Sequence, residues 1–155
     1  MNLLFRHCVV TALAIILSLI GPSQASAASP PADPNAPEPI QVVIPATAGP
    51  RNPVKIATVS AGQKVTVMIG RVYWAGGGSK KGAFTNWQGF KDRLERNALP
   101  WMALVFAVGK QNFLPDKKEF TFTVPADGDL VAFANDTNPD GNSGRAEATV
   151  TIHPK

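Results

Sequence analysis

The chain has 155 residues, 45% of them hydrophobic and 17% charged, with 15 Lys and Arg against 11 Asp and Glu. That length allows one domain, and a formal net charge of +4 is too mild to mark a dedicated nucleic-acid binder. The single cysteine, Cys8, leaves no partner for a disulfide, so stability must come from a packed core or a bound metal.

Met1 to Arg6 ends in a positive charge, residues 8–20 form an apolar run, and Ala25-Ser26-Ala27 has the small-x-small form of a signal-peptidase site. Residues 1–27 therefore read as a secretory signal peptide. The run is shorter than the roughly 20 apolar residues a membrane span needs, and Cys8 precedes the apolar core, where a lipoprotein signal would have it follow. Export to the periplasm or the outside is expected, with no integral membrane segment left after cleavage. Cleavage also removes the cysteine. Residues 28–39 hold five prolines and almost no large apolar side chain, which predicts an extended, solvated linker.

The folded part is expected over residues 40–155. Segments 40–44 and 54–59 are short and β-branched, and Pro and Gly separate them, so they read as strands. After a turn at Ser60-Ala61-Gly62-Gln63, residues 64–69 alternate, with Val65, Val67 and Ile69 on one face, as a half-buried strand does. Residues 70–90 keep no period and read as an irregular surface loop rich in aromatics, including Tyr73, Trp74 and Trp87. Trp87, Phe90 and Leu94 fall at i, i+3 and i+7, which predicts one short helix within residues 86–99. Residues 101–108 are apolar on both faces and predict a central strand buried on both sides. Residues 109–118 read as a polar loop, and Phe120, Phe122 and Val124 mark one face of another strand. Pro125-Ala126-Asp127-Gly128 is a turn in which Pro fixes φ and Gly supplies positive φ. Strands at 130–134 and 146–152 complete about seven, the pattern of an all-β, antiparallel β-sandwich of jelly-roll type.

The last two strands bracket a polar loop, Asn135 to Gly144, too long for an ordinary hairpin turn. From Asp136 to Glu147 it matches the EF-hand expression, with Asp136, Asn138 and Asp140 at alternate positions followed by Gly141. The chemistry is that of a hard cation, since Ca²⁺ is bound by carboxylate and amide oxygens. Flanking strands and Pro139 exclude a true EF-hand, leaving an Asp-x-Asn-x-Asp-Gly loop that needs ligands from elsewhere. A hydrated turn built on Asx hydrogen bonds is the competing reading.

The ordered set Ala103-Leu104-Val105, Gly109, Val124-Pro125, Gly128-x-Leu130, Asn135-Asp136, Asn142-Ser143-Gly144 and Val150-x-Ile152 resembles the galactose-binding-like β-sandwiches of the Pseudomonas galactophilic-lectin type. Gly62, Val65 and Val67 look like the family's early turn and strand, and the resemblance runs over about 42–152. It implies a Ca²⁺ at one end of the sandwich that directly ligates sugar hydroxyls. Asp136 then matches the aspartate ligand and Asn142 the asparagine before Ser-Gly. Asn138 and Asp140 fall where a mid-loop ligand is supplied, and Tyr73 matches a tyrosine that ligates through its backbone carbonyl. The chain also departs from the family: its 136–142 loop is shorter, Gly141 replaces a second asparagine ligand, and no histidine matches the sugar-contacting one.

The expected function is an exported, non-catalytic, lectin-like module that binds a carbohydrate or glycoconjugate through a calcium at 136–142. Tyr73, Trp74 and Trp87 are the candidate sugar platform, beside Asp136 and Asn142. The alternative is a structural or protein-interaction sandwich of the cell envelope. The sequence leaves homo-oligomerisation open. His153 lies too near the end of the last strand to suggest a Ser-His-Asp triad. Lys80, Lys81, Lys91, Arg93 and Arg96 give a basic stretch suited to anionic glycans or lipid headgroups, or to solubility alone.

Overall fold

The computed structural model describes residues 36–77 and 82–155. The expected signal peptide, most of the linker, and Lys80 and Lys81 lie outside those residues. In chain order the strands are β1 (Ile40–Pro45), β2 (Val54–Val59), β3 (Lys64–Ala75), β4 (Phe84–Thr85), β5 (Phe90–Leu94), β6 (Pro100–Trp101), β7 (Leu104–Val108), β8 (Gln111–Phe113), β9 (Glu119–Thr123), β10 (Gly128–Ala134) and β11 (Ser143–His153). All the pairings are antiparallel. One sheet runs β1-β11-β3, with β4 and β9 sharing the far edge of β3; the other runs β2-β10-β7-β8. β5 and β6 form a separate short ribbon. No helix among the described residues is long and apolar enough to cross a membrane.

Strand alternation builds the core between the sheets. Val42 and Ile44 of β1, Val65, Val67 and Ile69 of β3 and Ala146, Ala148 and Val150 of β11 face in from one side. Leu104, Phe106 and Val108 of β7 and Leu130, Ala132 and Ala134 of β10 face them. Phe106 meets Phe120 across the gap, with ring centroids 5.7 Å apart and planes tilted by 58°. Every residue of β7 is buried, as its two-sided apolar pattern predicts. Its other face, Val105 and Ala107, packs with Phe133 beneath Leu99, Leu114 and Val131.

Four expectations need correction. The strand expected to stop at residue 69 continues to Ala75, so the first part of the irregular segment is β3. A β-bulge hides the continuation: Ala148 pairs with Ile69 but Ala146 with Val72, so Gly70 and Arg71 together oppose Glu147. The extra residue reverses the inside-outside parity. Val65, Val67 and Ile69 point in before the bulge; Trp74 points in after it, and Arg71 and Tyr73 point out.

The expected helix within 86–99 is β5 followed by a single 3-10 turn at Arg96–Ala98. Phe90 stacks on Trp101 at 5.1 Å and pairs with it across the β5–β6 ribbon, so tertiary contact overrides the helical spacing. The central strand is also interrupted. Met102, fully buried, takes φ 62° and separates β6 from β7. Within the expected polar loop at 109–118, Gln111–Phe113 forms β8 by a tight turn at Gly109, where φ is 58°.

Candidate functional site

The loop joining β10 to β11 is anchored at its root. Asn135 is buried, and its Nδ2 donates to Leu99 O and Pro100 O, each at 3.1 Å. Its backbone N–H donates to Ala103 O, and its carbonyl accepts from Met102 N. One asparagine thus ties the loop to the β6–β7 joint.

Asp136 follows, only 4% exposed. Its Oδ1 accepts from Asn138 N at 2.9 Å, the Asx turn that short acidic side chains favour. Pro139 O then accepts from Asn142 N at 3.0 Å, and Gly141 closes that turn with φ 85°. The turn delivers Asn142, 7% exposed, back to Asp136. Asn142 Nδ2 donates to Asp136 Oδ2 at 3.0 Å and also reaches Ala46 O and Met102 Sδ, each at 3.2 Å. Asn142 Oδ1 accepts from Gly77 N at 2.7 Å. These partners fix which end of the amide is oxygen, because Gly77 offers only a donor and Asp136 and Ala46 offer acceptors.

A groove of about 220 Å³ opens beside this cluster, between the turn at residues 49–52 and the loop. Arg51, Asn52, Asp136, Thr137, Asn138 and Asp140 line it. Asn52 Oδ1 accepts from Gly49 N at 3.0 Å and holds the opposite wall. A side chain at Gly49 would stand 2.9 Å from Asp136 O, so the two walls approach as glycine allows.

The residues expected to ligate calcium separate into two groups. Asp136, Asn138 and Asp140 line one groove. Asp136 pairs with no Lys or Arg among the described residues, and its carboxylate accepts two hydrogen bonds of the roughly four it can take. That donor chemistry fits a hard cation on the groove side. Asn142 is oriented differently: its side-chain oxygen accepts from Gly77 N, and its NH₂ turns toward the Asp136 carboxylate. Among the described residues no group of three His, Cys, Asp or Glu side chains is placed to hold a metal ion, so a cation here would need amide or backbone oxygens as well. Glu147, the last position of the EF-hand pattern, lies in β11, where Arg145 Nε donates to its Oε1 at 2.9 Å.

The aromatic candidates also separate. Trp74 is fully buried in the core and offers no ring face to a ligand. Trp87 is half-buried against the core, with Lys118 Nζ 5.9 Å above its ring. Tyr73 is 57% exposed and stacks on Phe84, itself 56% exposed, with centroids 4.5 Å apart and planes 25° from parallel. The Tyr73 carbonyl faces Gly144 on the neighbouring strand. Phe84 is a surface aromatic that the sequence did not single out, since it sits in a stretch without periodicity. Arg51 and Asn52 were missed for the same reason: nothing in the sequence brings the 49–52 turn against the loop.

These features define an antiparallel β-sandwich with a polar groove at a loop-bearing end. Among solved structures it is similar to a domain described as the EclA N-terminal domain, a PllA-like lectin. The identity is 24% and the TM-score 0.52, covering 74% of this chain and 96% of that domain. At that identity the two share a fold. No protein-family model matches the chain, and no curated protein matches it.

Proposed function

We propose that this is an exported, non-catalytic carbohydrate-binding module of lectin type, taking its sugar at the groove beside residues 136–140. The observation that carries this reading is Asp136, a buried carboxylate with unused acceptor capacity at the mouth of a groove lined by amide, hydroxyl and guanidinium groups. Such a set suits a ligand that presents many hydroxyls, and it lies on the sandwich architecture of the PllA-like lectin. Residues 1–27 support export.

The finer reading is a Ca²⁺ held by Asp136, Asn138 and Asp140, without the Asn142 and Tyr73 ligands. A bound Ca²⁺ would supply a hard charge on which sugar hydroxyls replace water. The test is the melting temperature of the protein after chelation and then in millimolar Ca²⁺, followed by a glycan screen in both conditions. A ligand specific to the folded state adds about 2.7 kcal/mol at a hundredfold excess over Kd. The expected result is a rise of several degrees that Asp140→Asn abolishes. Asp140 is exposed and outside the Asn142 cluster, so this variant keeps the fold intact. Glycan binding that persists in chelator would remove calcium from the reading and keep the groove. Failure of every glycan in both conditions would leave an interaction sandwich of the cell envelope.

A further inference from the structure

We propose that the outer face of the β1-β11-β3-β4 sheet is a second glycan contact, one that takes a uronate sugar and needs no metal. The inference rests on the carbohydrate reading but not on calcium. A cleft of about 800 Å³ lies on this face, lined by Val43, Pro45, Arg71, Tyr73, Gly144 and Arg145. The bulge in β3 creates it. Without the extra residue at Gly70–Arg71, Tyr73 would point into the core and Trp74 out.

The chemistry of the face is specific. Tyr73 and Phe84 form an exposed, nearly parallel aromatic pair, and Val43, 55% exposed, lines the cleft with Tyr73. A pyranose offers a matching surface in the C–H groups of one ring face. Arg145, directly opposite Tyr73 in the strand register, is tied to Glu147 at 2.9 Å. Arg71, exposed and two residues before Tyr73, makes no ion pair or hydrogen bond among the described residues. Its planar fork matches a carboxylate through two parallel hydrogen bonds. A ligand that satisfies both features carries a carboxylate on a sugar ring. An acidic peptide supplies the carboxylate without the ring face. A lipid surface calls for several free cations and inserted apolar side chains, whereas the cleft lining offers, among the described residues, one unpaired guanidinium.

The test measures binding of the full-length protein, in EDTA, to trigalacturonate and to its carboxyl-reduced, neutral form. The wild type is expected to prefer the acidic trisaccharide by about tenfold or more, the scale of a charge-assisted pair. Arg71→Gln should erase that preference, and Tyr73→Ala should weaken both ligands. Both cleft residues are exposed, so the variants are expected to unfold at the wild-type urea midpoint. A preference that survives Arg71→Gln overturns the proposal. So does a homodimer, seen by light scattering, that Tyr73→Ala disperses, because the face would then be covered by a second copy. If neutral glycans bind through Asp140 and trigalacturonate does not bind, the inference falls and the carbohydrate reading stands. If no glycan binds at all, both fall.

Discussion

Asn142 shows how one amide can hold a loop in place. Its oxygen takes the Gly77 N–H and its nitrogen reaches Asp136, Ala46 and Met102. Asn142→Ala would leave a buried N–H and a buried carboxylate each short of a partner. The expected cost is about 2–4 kcal/mol, read as a lower urea midpoint in EDTA. The residue types at 136–142 were legible as oxygen-rich, and the resemblance implied Asp136 and Asn142 as ligands of one Ca²⁺, not the hydrogen bond that joins them. The direction of the amide was not legible, because Gly77 donates to it from another strand's end, 65 residues away in sequence. Asp129 gives a smaller, separate test. Hydrogen bonds from Lys55 and Thr58 hold its carboxyl below its ordinary value. A lowered pKa stabilises the fold above the unfolded value and loses that contribution as pH falls through the folded one, below about pH 4. Asp129 is exposed, so the loss is slight; Asp129→Asn should flatten the acid limb of a melting-temperature profile measured from pH 6 to pH 2.

At the scale of elements, β3 and β11 carry the architecture. They pair from His153 opposite Lys64 to Ser143 opposite Ala75, and β1 and β9 extend them on either side. The alternation of Val65, Val67 and Ile69 made the first half of β3 readable. The bulge at Gly70–Arg71 ended that signal, because parity restarts one residue out of step and the pattern reads as noise. The helix expected within 86–99 failed for a related reason. Gly89 takes φ 70°, and a side chain there would meet the Trp101–Ala103 backbone, so the chain turns where the spacing implied continuity. Gly144 is the corresponding point on β11. It takes φ 91° and lies against the Tyr73 carbonyl, so a methyl group there must displace the pairing strand. Gly144→Ala is expected to destabilise by about 3 kcal/mol or more, from backbone strain and steric conflict together. Amide exchange should localise the loosening to the Tyr73–Ala75 end of β3.

For the whole molecule, the residues that hold the fold and those proposed for recognition are different, and that division can be tested. The core is formed by apolar side chains of two facing sheets, closed without a disulfide because Cys8 is the only cysteine. Phe106 sits fully buried in its middle and touches Phe120 from the opposite sheet. Phe106→Ala should cost about 3–5 kcal/mol and lower the unfolding midpoint of both sheets together, since neither buries its inner face alone. Circular dichroism and tryptophan fluorescence should therefore report one coincident transition. Asp140→Asn should do the reverse. Away from any buried partner, it is expected to move the midpoint by no more than about 0.5 kcal/mol in EDTA while removing the calcium response. If Phe106→Ala lowers the midpoint yet keeps the same increment on adding Ca²⁺, the groove is shaped by its own turns and hydrogen bonds. If the increment disappears with the core contact, the two sheets must pack tightly for the loop to hold its form, and recognition depends on the fold's full stability.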